Sequence, residues 1–233
     1  MRFTNPVFCA LDTTSANDAA RLARQLKGHV GGVKLGLEFF YSCGHEGYRA
    51  VKESGLPIFL DLKLHDIPNT VAGGIRAILP LKPAIVNVHG AGGFAMMQAA
   101  VNAADESGDE RPMVIAVTVL TSLDQSDLDA TGISGAPADQ VLRLAQLAAK
   151  AGCDGIVCSA HEIERLRREM DRDFKLIVPG IRPAGSAKGD QKRVMTPSEA
   201  MTLGADILVI GRPITEAKDP SQAAREIAAS LVS

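Results

Sequence analysis

Residues 59–70 read Phe-Leu-Asp-Leu-Lys-Leu-His-Asp-Ile-Pro-Asn-Thr, and acid and base alternate closely within them at Asp61, Lys63 and Asp66. Side chains two apart on a strand share a face, so Asp61 and Lys63 are expected to point one way and Leu60, Leu62 and Leu64 the other. Leucines facing a helix layer would leave both charges on the inner side of a sheet. Removing an ion from water costs on the order of several kcal/mol unless partners compensate it. Lys34, on the preceding β-rich run, is a candidate partner for Asp61. A structural ion-pair network is the alternative reading. Buried pairs stabilise poorly beside packed apolar residues, however, so a cluster of this kind points to a chemical purpose.

A second constellation lies in the last quarter. Val178-Pro179-Gly180-Ile181-Arg182-Pro183 and Ile210-Gly211-Arg212-Pro213-Ile214 each join a glycine to an arginine after an apolar run. Glycine lets backbone N–H groups approach an anion, and the planar guanidinium fork grips phosphate oxygens. A phosphomonoester is the expected ligand. His65 and His89 have no metal-ligand partner at helical or hairpin spacing, which predicts packing or hydrogen-bonding roles. His29, His45 and His161 read as ordinary helix or loop residues, and 162–172 as a solvated helix face with Glu164 and Arg168 at i,i+4. The polar run 189–193 reads equally as a mobile lid or as a basic loop.

The elements that must hold these groups alternate from end to end. Strands are predicted at Val7–Leu11, Gly32–Leu35, Ile58–Lys63, Ala84–Val88, Met113–Val119, Gly155–Ser159, Lys175–Val178 and Ile207–Ile210. Between them run helical patterns, such as Ala19, Leu22, Ala23 and Leu26, or Val141, Leu144, Ala145 and Ala148. Thr14-Ser15 and Thr196-Pro197 read as helix starts, Gly152 as a helix end, and the last helix as beginning near Pro220. Strict β/α alternation implies an α/β fold with a parallel sheet. Eight units, with no G-x-G-x-x-G turn after the first strand, favour a single (β/α)8 TIM barrel over residues 1–233 rather than an open sheet. Such a barrel carries its active site at the carboxyl ends of its strands. Asp12, Lys34, Asp61, Lys63, Asn87, His89, Thr118, Thr121, Ser159, His161, Arg182 and Arg212 all fall at or just past those ends.

Composition narrows the function classes. The chain has 233 residues, 46% of them hydrophobic and 22% charged, with a formal net charge of −2. Seven Phe, two Tyr and no Trp argue against stacking platforms for single-stranded nucleic acid, and the near-neutral charge argues against a large phosphate-neutralising surface. The longest uncharged stretch, 83–104, is broken by Asn87, His89, Gly90, Gly92 and Gly93 and reads as strand, loop and helix rather than a membrane span. The amino-terminal apolar run is too short for a signal peptide, so a cytoplasmic protein is expected. Cys9, Cys43, Cys153 and Cys158 lack C-x-x-C spacing and are expected to be reduced thiols filling core space.

The string Asp61-x-Lys63-x-x-Asp66-Ile67-Pro68-Asn69-Thr70 resembles the signature of the orotidine 5′-monophosphate decarboxylase family. The resemblance covers nearly the whole chain. Asp12, Lys34, Val117-Thr118-Val119-Leu120-Thr121-Ser122, Pro179-Gly180-Ile181-Arg182, Asp190-Gln191 and Gly211-Arg212 appear in the family's order. It implies decarboxylation of orotidine 5′-monophosphate to UMP and CO2, in pyrimidine biosynthesis, without metal or organic cofactor. It implies roles as well. Asp61 would lie beside the substrate carboxylate, while Lys63 would stabilise charge at C6 and deliver the replacing proton. Lys34 would tie Asp61 and Asp66 into one array and contact the ribose, with Asp12 on the ribose hydroxyls and Thr121 fixing the base. Gln191, Arg212 and the Gly211 backbone would grip the phosphate, with Arg182 on the same closing loop. Asp66 and Thr70 would reach into a neighbouring subunit's site, implying a homodimer with shared active sites.

Two rivals are distinguishable. A magnesium-dependent decarboxylase of 3-keto-L-gulonate 6-phosphate shares Asp-x-Lys-x-x-Asp, but it should carry a carboxylate metal ligand near the end of strand two, where Lys34 stands. A non-catalytic nucleotide-binding barrel would be expected to lack Asp61 or Lys63, and both are present.

Overall fold

The computed structural model describes residues 3–183 and 195–231. Its strands are β1 (Val7–Ala10), β2 (Gly32–Gly36), β3 (Ile58–Leu64), β4 (Ile85–His89), β5 (Met113–Val117), β6 (Gly155–Val157), β7 (Lys175–Pro179) and β8 (Ile207–Ile210). All neighbours pair in parallel, and β8 pairs with β1, so the sheet closes in chain order. Around it lie α1 (Ala16–Leu26), α2 (Leu37–Lys52), α3 (Pro68–Ile78), α4 (Gly93–Asp105), α5 (Gln125–Ala130), α6 (Pro137–Lys150), α7 (Ile163–Glu169), α8 (Pro197–Leu203), α9 (Arg212–Thr215) and α10 (Pro220–Ala229). This is the expected (β/α)8 barrel.

Closure splits the apolar residues into two layers by strand alternation. Inward-facing Phe8, Phe59, Ile85, Ile115, Ile177 and Ile207 belong to a small cluster that fills the barrel. Their outward-facing neighbours, among them Val7, Val33, Leu60, Val86 and Val114, join the larger layer under the helices. Inside, Phe8 needs Gly32 on the next strand, since a Cβ there would lie 2.3 Å from the Phe8 ring. At the mouth, a Cβ at Gly36 would lie 3.0 Å from Lys34 Nζ and 3.8 Å from Asp12 Oδ1. The missing side chain leaves room for a charged pair.

Local signals set the helix ends. Ser15 accepts from the Asp18 N–H, Thr196 and Glu199 form a capping box, and Gly152 takes φ +84 after α6. β5 and β6 stop two residues short of the sequence-based expectation. Thr118 turns its hydroxyl onto the Val157 carbonyl at 2.8 Å, and Ser159 caps a short 3-10 turn reciprocally with Glu162. The Glu162 carboxylate takes the Ser159 N–H at 2.6 Å, a backbone group that a longer β6 would commit to the ladder. Cys9, Cys153 and Cys158 are buried free thiols and Cys43 is half-buried; burial pushes the Cys153 thiol up to about 12. Among the described residues no helix is long and apolar enough to cross a membrane.

Candidate active site

Lys34 comes from β2, Asp61 and Lys63 from β3, Asn87 from β4, and Asp12 from just beyond β1. The register brings them together, with Ala10 opposite Lys34, and Gly36 opposite Asp61. Lys34 Nζ lies 3.1 Å from Asp12 Oδ1 and 3.4 Å from Asp61 Oδ2, and Lys63 Nζ lies 2.6 Å from Asp61 Oδ1. Asn87 adds a bond from Nδ2 to Asp61 Oδ1 at 2.7 Å. The Asp61 carboxylate thus has an ammonium on each oxygen and an amide donor besides. Burial pushes its carboxyl group up, but Lys34, Lys63 and the two hydrogen bonds outweigh burial and hold it below the ordinary carboxylate range.

Asp61 and Lys63 meet as expected, though not through regular pleating. Leu60 pairs with Val86 and Leu64 with Val88, so three residues of β3 span the place of Asn87 alone. Lys63 sits in this bulge at φ +50, a left-handed conformation uncommon for a residue with a Cβ. Leu62 and Leu64 still pack outward against the helix-side layer.

A cavity of about 320 Å³ opens beside the cluster, a size suited to a small-molecule ligand. Asp12, Lys34, Asp61 and Lys63 line it, as do Arg182, Gly211 and Arg212. Val119, Leu120 and Thr121 also contribute. Gly180 takes φ +78 at the turn after β7, and Arg182 is buried with one guanidinium nitrogen 3.0 Å from the Ile181 carbonyl. Arg212 opens α9 and is exposed.

Other predicted residues fall elsewhere. Asp66 and Thr70 are exposed, and neither lines the cavity. The Asp66 carboxylate accepts from the Ile67 N–H at 2.7 Å, so within one chain Lys34 joins Asp12 and Asp61, and Asp66 stands apart. Asp190 and Gln191, with the rest of 189–193, lie outside the described residues. His65 and His89 stack with ring centroids 5.2 Å apart. Burial, His65 and the Lys63 ammonium hold His89 below the ordinary imidazole range against the opposing pull of Asp61. Asn87 is expected from the sequence only as one of the residues at the strand ends, with no role of its own; the structure places it between Lys63 and Asp61.

Residues 5–227 match the Orotidine 5'-phosphate decarboxylase / HUMPS family. The chain belongs to that family. It is 58% identical over 233 residues to the orotidine 5'-phosphate decarboxylase of Rhodospirillum rubrum, covering 98% of this chain and 94% of the relative. Its fold is similar to a crystal structure of orotidine 5'-phosphate decarboxylase from Lactobacillus acidophilus, with TM-score 0.87 and 35% identity over 98% of this chain and 100% of that one. It is also similar to an uncharacterized conserved protein from Geobacillus kaustophilus, with TM-score 0.85 and 36% identity over 97% of this chain and 100% of that one.

Proposed function

We propose that this protein is a carboxy-lyase that decarboxylates orotidine 5′-monophosphate to UMP and CO2 in pyrimidine biosynthesis. The observation that carries the reading is Lys63 Nζ 2.6 Å from Asp61 Oδ1, in a cavity also lined by Arg182 and Arg212. The phosphate binds on the arginine side and the pyrimidine C6 lies over Lys63. The C6 carboxylate then faces Asp61. Two like charges about 4 Å apart repel by roughly 4 kcal/mol at an effective dielectric near 20, and loss of CO2 removes one of them. The C6–carboxylate bond breaks and leaves its electron pair on C6, where the Lys63 ammonium stabilises the charge and donates a proton. Solvent reprotonates Lys63. Lys34 and Asp12 orient the ribose, Thr121 the base, and Gln191 joins Arg212 and the Gly211 backbone on the phosphate. Binding energy from that remote phosphate excludes water from the reacting carbon.

The reading includes a cytoplasmic homodimer of single barrel domains, 1–233, in which Asp66 and Thr70 complete the neighbouring site. Exposure of that segment supports it. Ile67 is 67% exposed, and Leu37 and Tyr41, on one face of α2 beyond the adjacent strand, are 39% and 82% exposed. A magnesium-dependent phosphosugar decarboxylase fits less well, because Asp12 and Asp61 are both paired with Lys34.

Ultraviolet absorbance of orotidine 5′-monophosphate, followed with and without EDTA, tests the function. Turnover that EDTA leaves unchanged is expected; no turnover overturns the reading, and EDTA sensitivity favours the magnesium enzyme. Mixing Lys63→Ala with Asp66→Ala subunits tests the shared site. Hybrid dimers should regain activity at one intact site, and verified hybrids without activity would return Asp66 to its own chain.

A further inference from the structure

The bulge in β3 creates a problem that β4 solves with a side chain. Asp61, Leu62 and Lys63 lie between the Leu60–Val86 and Leu64–Val88 pairings, where the partner strand offers only Asn87. The Lys63 N–H therefore lacks a regular ladder carbonyl. It donates instead to Asn87 Oδ1 at 2.8 Å, while Asn87 Nδ2 donates to Asp61 Oδ1 at 2.7 Å. Asp61 Oδ1 is also the oxygen that receives the Lys63 ammonium at 2.6 Å. One carboxamide thus holds the backbone of Lys63 and the carboxylate that anchors its Nζ.

The donors and acceptors fix which way Asn87 points. A backbone N–H can only donate and a carboxylate can only accept, so the amide oxygen must face Lys63 and the nitrogen Asp61. Asn87 is 1% exposed, so water cannot substitute for either bond. Aspartate at this position would keep the acceptor for Lys63 but set a second carboxylate against Asp61. Leucine would fill the space and satisfy neither neighbour.

We propose that Asn87 is the positioning residue that holds Lys63 in its left-handed conformation and aims its ammonium at the reacting carbon. The inference rests on the reading of Lys63 as proton donor. It predicts loss at the chemical step with little loss of binding, because Asn87 does not line the cavity.

Wild type, Asn87→Leu and the near-isosteric Asn87→Asp are compared in kcat and KM for orotidine 5′-monophosphate, in Kd for UMP, and in the rate at which UMP exchanges its C6 hydrogen in D2O. Both variants should lose about 100-fold in kcat, as expected when a reacting group is misplaced by about 1 Å. C6 exchange should fall in parallel, with KM and Kd within about threefold of wild type. Ser54→Ala is the control for a merely structural loss. Ser54 is buried in the turn between α2 and β3, where its hydroxyl accepts from the Leu56 N–H at 3.2 Å. Its replacement should lower Tm and leave kcat unchanged. If Asn87→Leu does not fold, Asn87→Asp carries the test. Variants with kcat within threefold of wild type overturn the inference alone, as does a kcat loss matched by equal loss of UMP affinity. Absence of wild-type turnover overturns the proposed function and this inference with it.

Discussion

The cavity has two walls built on opposite plans. On the charged side, β2, β3 and β4 hold Lys34, Asp61, Lys63 and Asn87, and the β3–β4 ladder is broken to do so. On the arginine side, β7 and β8 keep an unbroken register, Ile177 to Ile207, Val178 to Leu208 and Pro179 to Val209. Arg182 and Arg212 enter only after those strands end. The difference follows from what each wall must do. A proton donor has to sit within a fraction of an ångström of its productive position, so its groups lock one another inside the sheet. A phosphate offers several oxygens and a diffuse charge, so glycine turns and guanidinium forks placed just past the strands suffice.

Replacing Lys63 by alanine should separate the walls most sharply. The proposed function predicts a kcat loss of about 10⁴-fold or more, with UMP affinity within severalfold of wild type. Comparable loss of both, measured by steady-state kinetics and calorimetry, would erase the distinction. Arg212→Ala should do the reverse and raise KM about 10- to 100-fold, the worth of a charge-assisted hydrogen bond, with a smaller effect on kcat. If its kcat falls as far as that of Lys63→Ala, binding and chemistry are not divided between the walls.

Acid stability sharpens the comparison further. Asp61 has a depressed carboxyl pKa in the folded chain, so its stabilisation is fully present above the ordinary value near about 4. It is lost as pH falls through the lower folded value. Wild-type Tm should therefore drop more steeply below about pH 4 than that of Asp61→Asn. Parallel curves would mean that the charged wall contributes no such linkage. The smallest effect belongs to the periphery. Glu164 and Arg168 pair across one helical turn with side chains 64% and 68% exposed, so Glu164→Ala should shift stability by less than about 0.5 kcal/mol and leave kcat unchanged.

Much of this was legible in the chain. All eight strands lie where apolar β-rich runs place them, and Ser15, Thr196 and Gly152 act at helix ends as their types predict. These features depend on neighbours within a few residues, so a linear reading reaches them. The union of Asp61 with Lys63 was also foreseen, but from a two-residue repeat that β3 does not keep at Lys63. Sequence by itself determined the alternation of units, the apolar faces and the presence of an Asp–Lys–Asp string beside two glycine–arginine turns. The tertiary structure alone decided which strand residue stands opposite which, that Gly36 clears space for Lys34 and Asp12, and that Asn87 closes the bulge around Lys63. Those outcomes depend on the stagger of eight strands closing on one another, and no segment of the chain encodes that stagger alone.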